Sequence, residues 1–240
     1  MSAGSNRSPM AAATGRGLKI AVIDSGVNVR HPHICATTHC VIIGSEAEEL
    51  SSDDPVGHGT AVTAAIQEKA PGAEYYALKL FGASLRATSD RLIMAIEWTI
   101  ENRMDIVNLS LGTSNFDRRG ELQSLVERAA SAGILLVSAR SAGPNPVLPG
   151  VLQGVIGVEV DWDLPRDRYR VSDANDAPYF LASGYPRPLP GVPPERNLNG
   201  ISFAVANMTG FVARACQTLE SRSFREICEV LAAEASTLAT

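Results

Sequence analysis

Three short stretches set a carboxylate, an imidazole and a hydroxyl beside glycines: IDSG at Asp24, GHGTAV at His58 and NGISFA at Ser202. Taken singly, each is ordinary. Asp-Ser-Gly is turn chemistry. A histidine between Gly57 and Gly59 is a tight turn opening a helix. A serine after Gly200 is a helix cap. Taken together, they are what acyl transfer requires. A hydroxyl is a poor nucleophile until a base takes its proton, and the base must be held in one tautomer by an acceptor. The order Asp, His, Ser along a chain is one of the unrelated orders in which this machinery occurs.

Such groups need elements that bring them together, and the hydropathy pattern supplies them. LKIAVI (Leu18 to Ile23), YYALKL (Tyr75 to Leu80), DIVNLSL (Asp105 to Leu111), GILLVSA (Gly133 to Ala139) and GVIGVEV (Gly154 to Val160) are short apolar runs. Runs of this kind form strands buried on both faces. The first one sets Asp24 at its carboxyl end. Helical spacing appears between several of them. Ser89 is placed to cap a helix whose apolar face is Leu92, Ile93, Ile96 and Ile100, and Leu122, Leu125, Val126 and Ala129 form a second face. This alternation predicts a three-layer α/β fold, a mainly parallel central sheet with helices on both faces. Chemistry in such folds sits at the carboxyl ends of the strands.

The stretch from Asp161 to Asn199 breaks the pattern. Its prolines (Pro165, Pro178, Pro186, Pro188, Pro190, Pro193, Pro194) predict loops and short antiparallel pieces. Residues 201–236 return to helical spacing. Residues 1–17 are small and polar and are expected to be a disordered lead-in, with one domain over 18–240. The first core strand begins near Leu18, so no folded pro-segment is expected, and folding proceeds unaided or with another molecule's help.

Composition narrows the function. The 240 residues are 45% hydrophobic and 20% charged, enough for a sizeable core. A net charge of −5 argues against nucleic acid as a partner. No run approaches the roughly 20 apolar residues of a membrane helix, and the N-terminus lacks the apolar core of a secretory signal. Cys35, Cys40, Cys216 and Cys228 form no CxxC pair, so zinc is not expected, and free thiols in the cytoplasm are. No cofactor is implied, and oligomeric state is left open.

The motifs, in this order, resemble the subtilisin-like serine protease family from about Leu18 to about Ala215. IDSG, GHGTAV and GISFA are similar to the family's aspartate, histidine and serine motifs, the last usually GTSxA. YYALKLFG resembles the strand after the histidine helix. AIEWTIENRMDIVNLSLG resembles the helix and strand that bind substrate backbone, and SAGILLVSARS the strand leading to the oxyanion hole. The resemblance implies that Ser202 attacks the scissile carbonyl, with its own backbone amide as one oxyanion donor. His58 is then general base and general acid, and Asp24 orients it. Ser110, Leu111 and Gly112 would be the substrate-binding edge and pocket wall. Leu109 and Leu111 also alternate as sheet residues do, with at least one in the core. The implied partner is a peptide or precursor protein undergoing limited processing. The alternatives are a weak or inactive pseudo-protease that binds extended peptides, and an esterase.

Departures from the family pattern bear on the rate. An Asn usually contributes its side chain to the oxyanion hole. Here Ser141 holds that position, with Arg140 in place of Gly, and Asn145 follows four residues on. Either Ser141 or Asn145 supplies a substitute donor, or turnover is slow or absent. Ile201 replaces the usual Thr, and Ala206 and Asn207 replace Pro-His. QEKAPGAEYY is too short for the calcium loop many relatives carry, so no calcium is expected there. Asp53 and Asp54 read as a solvated acidic loop rather than a metal site.

Overall fold

A computed structural model describes residues 9–44, 53–80, 87–172 and 178–238. The chain runs α1 (Pro9–Ala12), β1 (Lys19–Asp24), β2 (Thr38–Ile42), α2 (His58–Lys69), β3 (Glu74–Lys79), α3 (Ser89–Glu101) and β4 (Ile106–Leu109). It continues through α4 (Arg119–Ser131), β5 (Leu135–Ala139), β6 (Ser141–Ala142), β7 (Asn145–Pro146) and β8 (Val155–Val160), then β9 (Tyr169–Ser172), β10 (Tyr179–Ala182), α5 (Ile201–Gln217) and α6 (Phe224–Leu238). Eight strands form one sheet in the order β2-β3-β1-β4-β5-β8-β10-β9. All neighbours are parallel except β10 and β9.

The three layers follow from the two-residue period of a strand. In β1, Ile20 and Val22 pack with Val205 and Met208 of α5 and Val62 of α2. Ala21 and Ile23 point the other way, into a second cluster with Leu92 and Ile96 of α3 and Leu122 and Leu125 of α4. Each such side chain is essentially buried, and burial of an Ile or Val stabilises by roughly 1.5–3 kcal/mol over exposure. A charge at Val22 would put an unpaired ion among the helices of the first cluster. The expected α/β architecture is therefore present, with both faces covered.

The structure corrects three expectations and adds a strand that the hydropathy pattern does not show. Residues 9–17 are not a disordered lead-in. Met10 is 4% exposed, and the amides of Thr14 and Arg16 donate to Oε1 of Gln217 at 2.8 and 3.1 Å. One apolar anchor and a long-range amide clasp outweigh a polar composition; residues 1–8 lie outside the described residues. The cap of α3 is Thr88, whose hydroxyl accepts from the Arg91 amide at 3.3 Å, and Ser89 is the first helical residue. Strand β2 carries no apolar run because it is the sheet edge, with His39 and Cys40 exposed. In the proline-rich stretch β9 and β10 are antiparallel, as expected, but β10 also extends the parallel sheet beside β8. Phe81 and Gly82, which end YYALKLFG, lie outside the described residues.

Candidate active site

Strand β1 ends at Asp24, which is 1% exposed. His58 opens α2, preceded by Gly57 with φ of 77°, a left-handed turn that favours glycine. The two elements meet closely because Gly59 has no side chain: a Cβ there would lie 2.2 Å from the Gly26 carbonyl oxygen. This approach brings Nδ1 of His58 within 2.7 Å of Oδ1 of Asp24. The same oxygen accepts from the Ser25 amide at 2.7 Å.

Asp54 holds the assembly in place and is not the solvated loop residue that its sequence context suggests. Its Oδ1 accepts from the hydroxyl of Ser25 (2.8 Å) and the amide of Gly57 (2.9 Å). Its Oδ2 accepts from the amide and hydroxyl of Thr60 (2.8 and 2.7 Å). The Ser25 hydroxyl in turn accepts from the Gly59 amide at 3.0 Å. A carboxylate here satisfies orphan amides of the first turn of α2 and complements the helix dipole. Hydrogen bonds to a charged group are worth roughly 1.5–3 kcal/mol each. An acid four residues before a helix-opening histidine was the available signal for this role.

Burial disfavours the protonated imidazole of His58. The hydrogen bond to Asp24, the charge of Asp24 and the charge of Asp54 outweigh that penalty and raise the pKa above the ordinary 6.5. The bond at Nδ1 places the proton of the neutral ring there and leaves Nε2 as an acceptor.

Ser202 stands in the first turn of α5, after Gly200, whose φ is 147°. Its hydroxyl donates to the backbone carbonyl of Ser110 at 3.1 Å. The side chain of Ser110 is held by Nδ2 of Asn108 at 2.8 Å, and Oδ1 of Asn108 accepts from the Thr209 hydroxyl at 2.9 Å. Asn108 is fully buried and was missed from sequence, because an Asn inside an apolar strand looks like noise. Next to Ser202, the Phe203 ring lies 5.6 Å from the His58 ring. The structure thus joins Asp24 to His58 by a hydrogen bond, brings the ring of Phe203, the residue after Ser202, to 5.6 Å from the His58 ring, and directs the Ser202 hydroxyl to Ser110.

Leu109 is in the core and Leu111 is half-buried at the cluster's rim. Gly112 sits against Val147: a Cβ would lie 2.7 Å from its Cγ2. Thr113 and Leu148 exchange backbone hydrogen bonds of 2.9 Å. Ser110–Gly112 and the chain after β7 therefore form facing walls. Ser141 and Asn145 occupy the two short strands of a hairpin, Ser141 half-buried and Asn145 exposed. Arg140 turns its side chain across Gly157 and stacks its guanidinium 4.2 Å from the Tyr179 ring centre, 3.3 Å from a Glu159 oxygen.

Asn207 has a structural part. It accepts from the Lys69 ammonium at 2.6 Å and donates to the carbonyls of Ser183 (2.9 Å) and Tyr185 (3.1 Å). This ties α5 to α2 and to the strand end before the proline-rich stretch. Burial, with Arg166 nearby, lowers the Lys69 pKa to about 7.

The chain matches the profile described as the subtilase family over residues 15–158. It is 36% identical over 162 residues to the minor extracellular protease Epr of Bacillus subtilis (strain 168), covering 62% of this chain and 24% of Epr. It is 28% identical over 213 residues to subtilisin of Bacillus pumilus, covering 82% and 72%. The chain spans between 24% and 48% of most of these curated relatives. Among solved structures, it is similar to a cold adapted subtilisin-like serine proteinase (TM-score 0.69, 19% identity, 92% of this chain and 83% of that one). It is also similar to a lanthipeptide protease (TM-score 0.67, 19% identity, 90% and 80%).

Proposed function

The chain belongs to the subtilase family, and on that premise we propose that it is a serine endopeptidase acting through an acyl-enzyme on Ser202. The observation that carries this reading is the 2.7 Å contact of the His58 and Asp24 side chains beside the helix turn that bears Ser202. In the first step Oγ of Ser202 bonds to the scissile carbonyl carbon while Nε2 of His58 takes the hydroxyl proton. His58 then gives that proton to the leaving amine as the C–N bond breaks. Water repeats the sequence on the ester, releasing the acid and restoring Ser202. Asp24 stabilises the transient imidazolium. Its Oδ2 is buried without a hydrogen-bond partner among the described residues, so its charge is best compensated when His58 is protonated.

The Ser110 carbonyl gives substrate a part in activation. An extended peptide pairing with Ser110–Gly112 donates a backbone amide to that carbonyl. The Ser202 hydroxyl then loses its present acceptor and turns to His58. The amide of Ser202 and the Ser141 side chain supply the oxyanion contacts in this reading. Ser141 is preferred to Asn145 because it lies two residues after β5 and is half-buried, whereas Asn145 is exposed.

Limited cleavage of a peptide or precursor is the preferred role. The likeness to a lanthipeptide protease and to the prenylagaramide maturation protease PagA (TM-score 0.63, 21% identity, 87% of this chain and 79% of that one) supports it. Among the described residues no helix is long and apolar enough to cross a membrane. The four free cysteines support a cytoplasmic site of action; a disulfide found in protein isolated without reductant would argue otherwise.

The deciding experiment is labelling with a fluorophosphonate, paired with turnover of peptide libraries. Wild type should acquire one adduct, on Ser202, and Ser202→Ala none. A folded wild-type protein without an adduct overturns the reading. One observation favours a pseudo-protease instead, the Ser202 hydroxyl bound to Ser110. Equal peptide binding by wild type and Ser202→Ala, with cleavage by neither, would establish that role.

A further inference from the structure

Beside the first two turns of α2 lies a cavity of about 680 Å³. Its base is α2, through Gly57, Thr60 and Ala61. One wall is the turn after β1, with His31 and His33, and the other is the proline-rich chain from Pro186 to Leu198. The sheet order explains the placement. Across the carboxyl edge, the Ser141 hairpin follows β5, Ser110 follows β4 and the His31 turn follows β1, its neighbour. None of residues 110–112 lines the cavity. His58 and Ser202 do not line it either, but it reaches their neighbours: Gly57 precedes His58, and Leu198 lies four residues before Ser202.

The lining is basic within a protein of net charge −5. Arg187 and Arg196 contribute guanidinium groups. Arg196 is exposed and has no ion pair among the described residues. Arg187 is held in place by its Nη1 donating to the His33 carbonyl at 3.3 Å, with Glu68 only at 3.8 Å from its Nε. The His33 amide donates to Nδ1 of His31 at 3.2 Å, which leaves the neutral His31 ring its proton on Nε2, as a further donor. The one carboxylate in the lining, Asp54, already accepts four hydrogen bonds from Ser25, Gly57 and Thr60. Val192 and Leu198 add apolar surface, 37% and 42% exposed. The Arg196 guanidinium and His31 Nε2, with Arg187 only loosely paired to Glu68, beside apolar side chains make a receptor for a carboxylate on an extended peptide.

We propose that this cavity binds the part of the substrate that follows the scissile bond and selects a carboxylate there. The proposal rests on the endopeptidase reading above. Two sources carry the same chemistry: an Asp or Glu side chain, or the free C-terminus of the substrate. Paired fluorogenic peptides separate them. One pair exchanges Asp for Asn at each of the three positions after the cleaved bond, and the other ends in a free acid or an amide.

The acidic member of at least one pair should show a kcat/KM about five- to tenfold higher, the scale of one partly exposed charge pair. Arg196→Glu should abolish or reverse that ratio, while Arg225→Glu, on the distant exposed face of α6, should not change it. Equal cleavage within both pairs, or a preference for the neutral member, overturns the proposal while the peptidase reading stands. If no peptide is cleaved and Ser202 takes no fluorophosphonate, the peptidase reading fails. Binding of the same peptides to Ser202→Ala by fluorescence anisotropy then decides the cavity on its own. A tighter acidic peptide, weakened about fivefold or more by Arg196→Glu in that background, supports it, and equal binding overturns it.

Discussion

On the Asp24 side of His58, four hydrogen bonds to Asp54 and three to Oδ1 of Asp24 lock the first turn of α2 to the end of β1. On the Ser141 side, a hairpin of two-residue strands leaves Ser141 half-buried and Asn145 exposed, and neither side chain has a hydrogen bond among the described residues. The first region is preorganised: its polar groups are already where a proton acceptor needs them, and no reorganisation is required during reaction. The second depends on what substrate and backbone bring. On the proposed endopeptidase reading, such a site has a well-placed base and a less well-placed oxyanion contact, so its rate should respond very unequally to changes in the two regions.

The largest effect should come from the nucleophile. Ser202→Ala should lower turnover of a good peptide by at least about 10⁴-fold, to background, without changing the melting temperature appreciably. Asp24→Asn should cost roughly 10⁴-fold in kcat, since the amide favours the wrong tautomer of His58. A loss under tenfold would mean that another acceptor orients the ring. On the other side, Ser141→Ala should cost roughly 10²–10³-fold if its hydroxyl replaces the usual side-chain donor. That scale is the family's own rather than derived from this chain. Asn145→Ala should stay within about twofold. Steady-state kinetics of the pair inverts the comparison if Asn145 proves the costlier loss.

The pH profile gives a smaller, signed effect. His58 must be neutral to accept a proton, and Asp24 and Asp54 raise its pKa above 6.5 despite burial. The acid limb of kcat/KM should therefore have its midpoint above 6.5, with activity falling as pH drops through it. Asp54→Asn should move that midpoint down by removing one negative charge. Measured profiles with equal midpoints would detach Asp54 from the base.

The smallest effect concerns stability away from the chemistry. The Lys69 pKa of about 7 lies below the ordinary 10.5 because of burial and nearby Arg166. Between those values the unfolded chain binds more protons, so the cost of burying Lys69 falls as pH rises from 7 toward 10. The stability of wild type relative to Lys69→Met should move in favour of wild type over that range. Denaturant titrations at three pH values measure it, and a constant difference would show that Lys69 keeps its charge.

Much of the fold was legible because its signals are local. The runs at Leu18–Ile23 and Gly133–Ala139 have the length and hydrophobicity of strands covered on both faces. The glycines around His58 announce a close approach, now seen between Gly59 and Gly26. Edge strand β2 was not legible, since one that faces water at His39 and Cys40 has no apolar pattern to detect. Nor was the docking of Met10, the one large apolar side chain in a stretch of small and polar residues. Asp54 was misread because a carboxylate in a loop looks the same in sequence whether water or helix amides satisfy it.

Sequence alone determined the order of motifs, the alternation of strand and helix, and the presence of a carboxylate, an imidazole and a hydroxyl at element boundaries. Only the tertiary structure decided which atoms meet. Asp24 reaches His58 across 34 residues, Ser202 reaches Ser110 across 92, and Lys69 reaches Asn207 across 138. Propensity and periodicity act over one or two turns of chain. A hydrogen bond is fixed by the position of its partner to within a few tenths of an ångström, and that position depends on how whole layers pack.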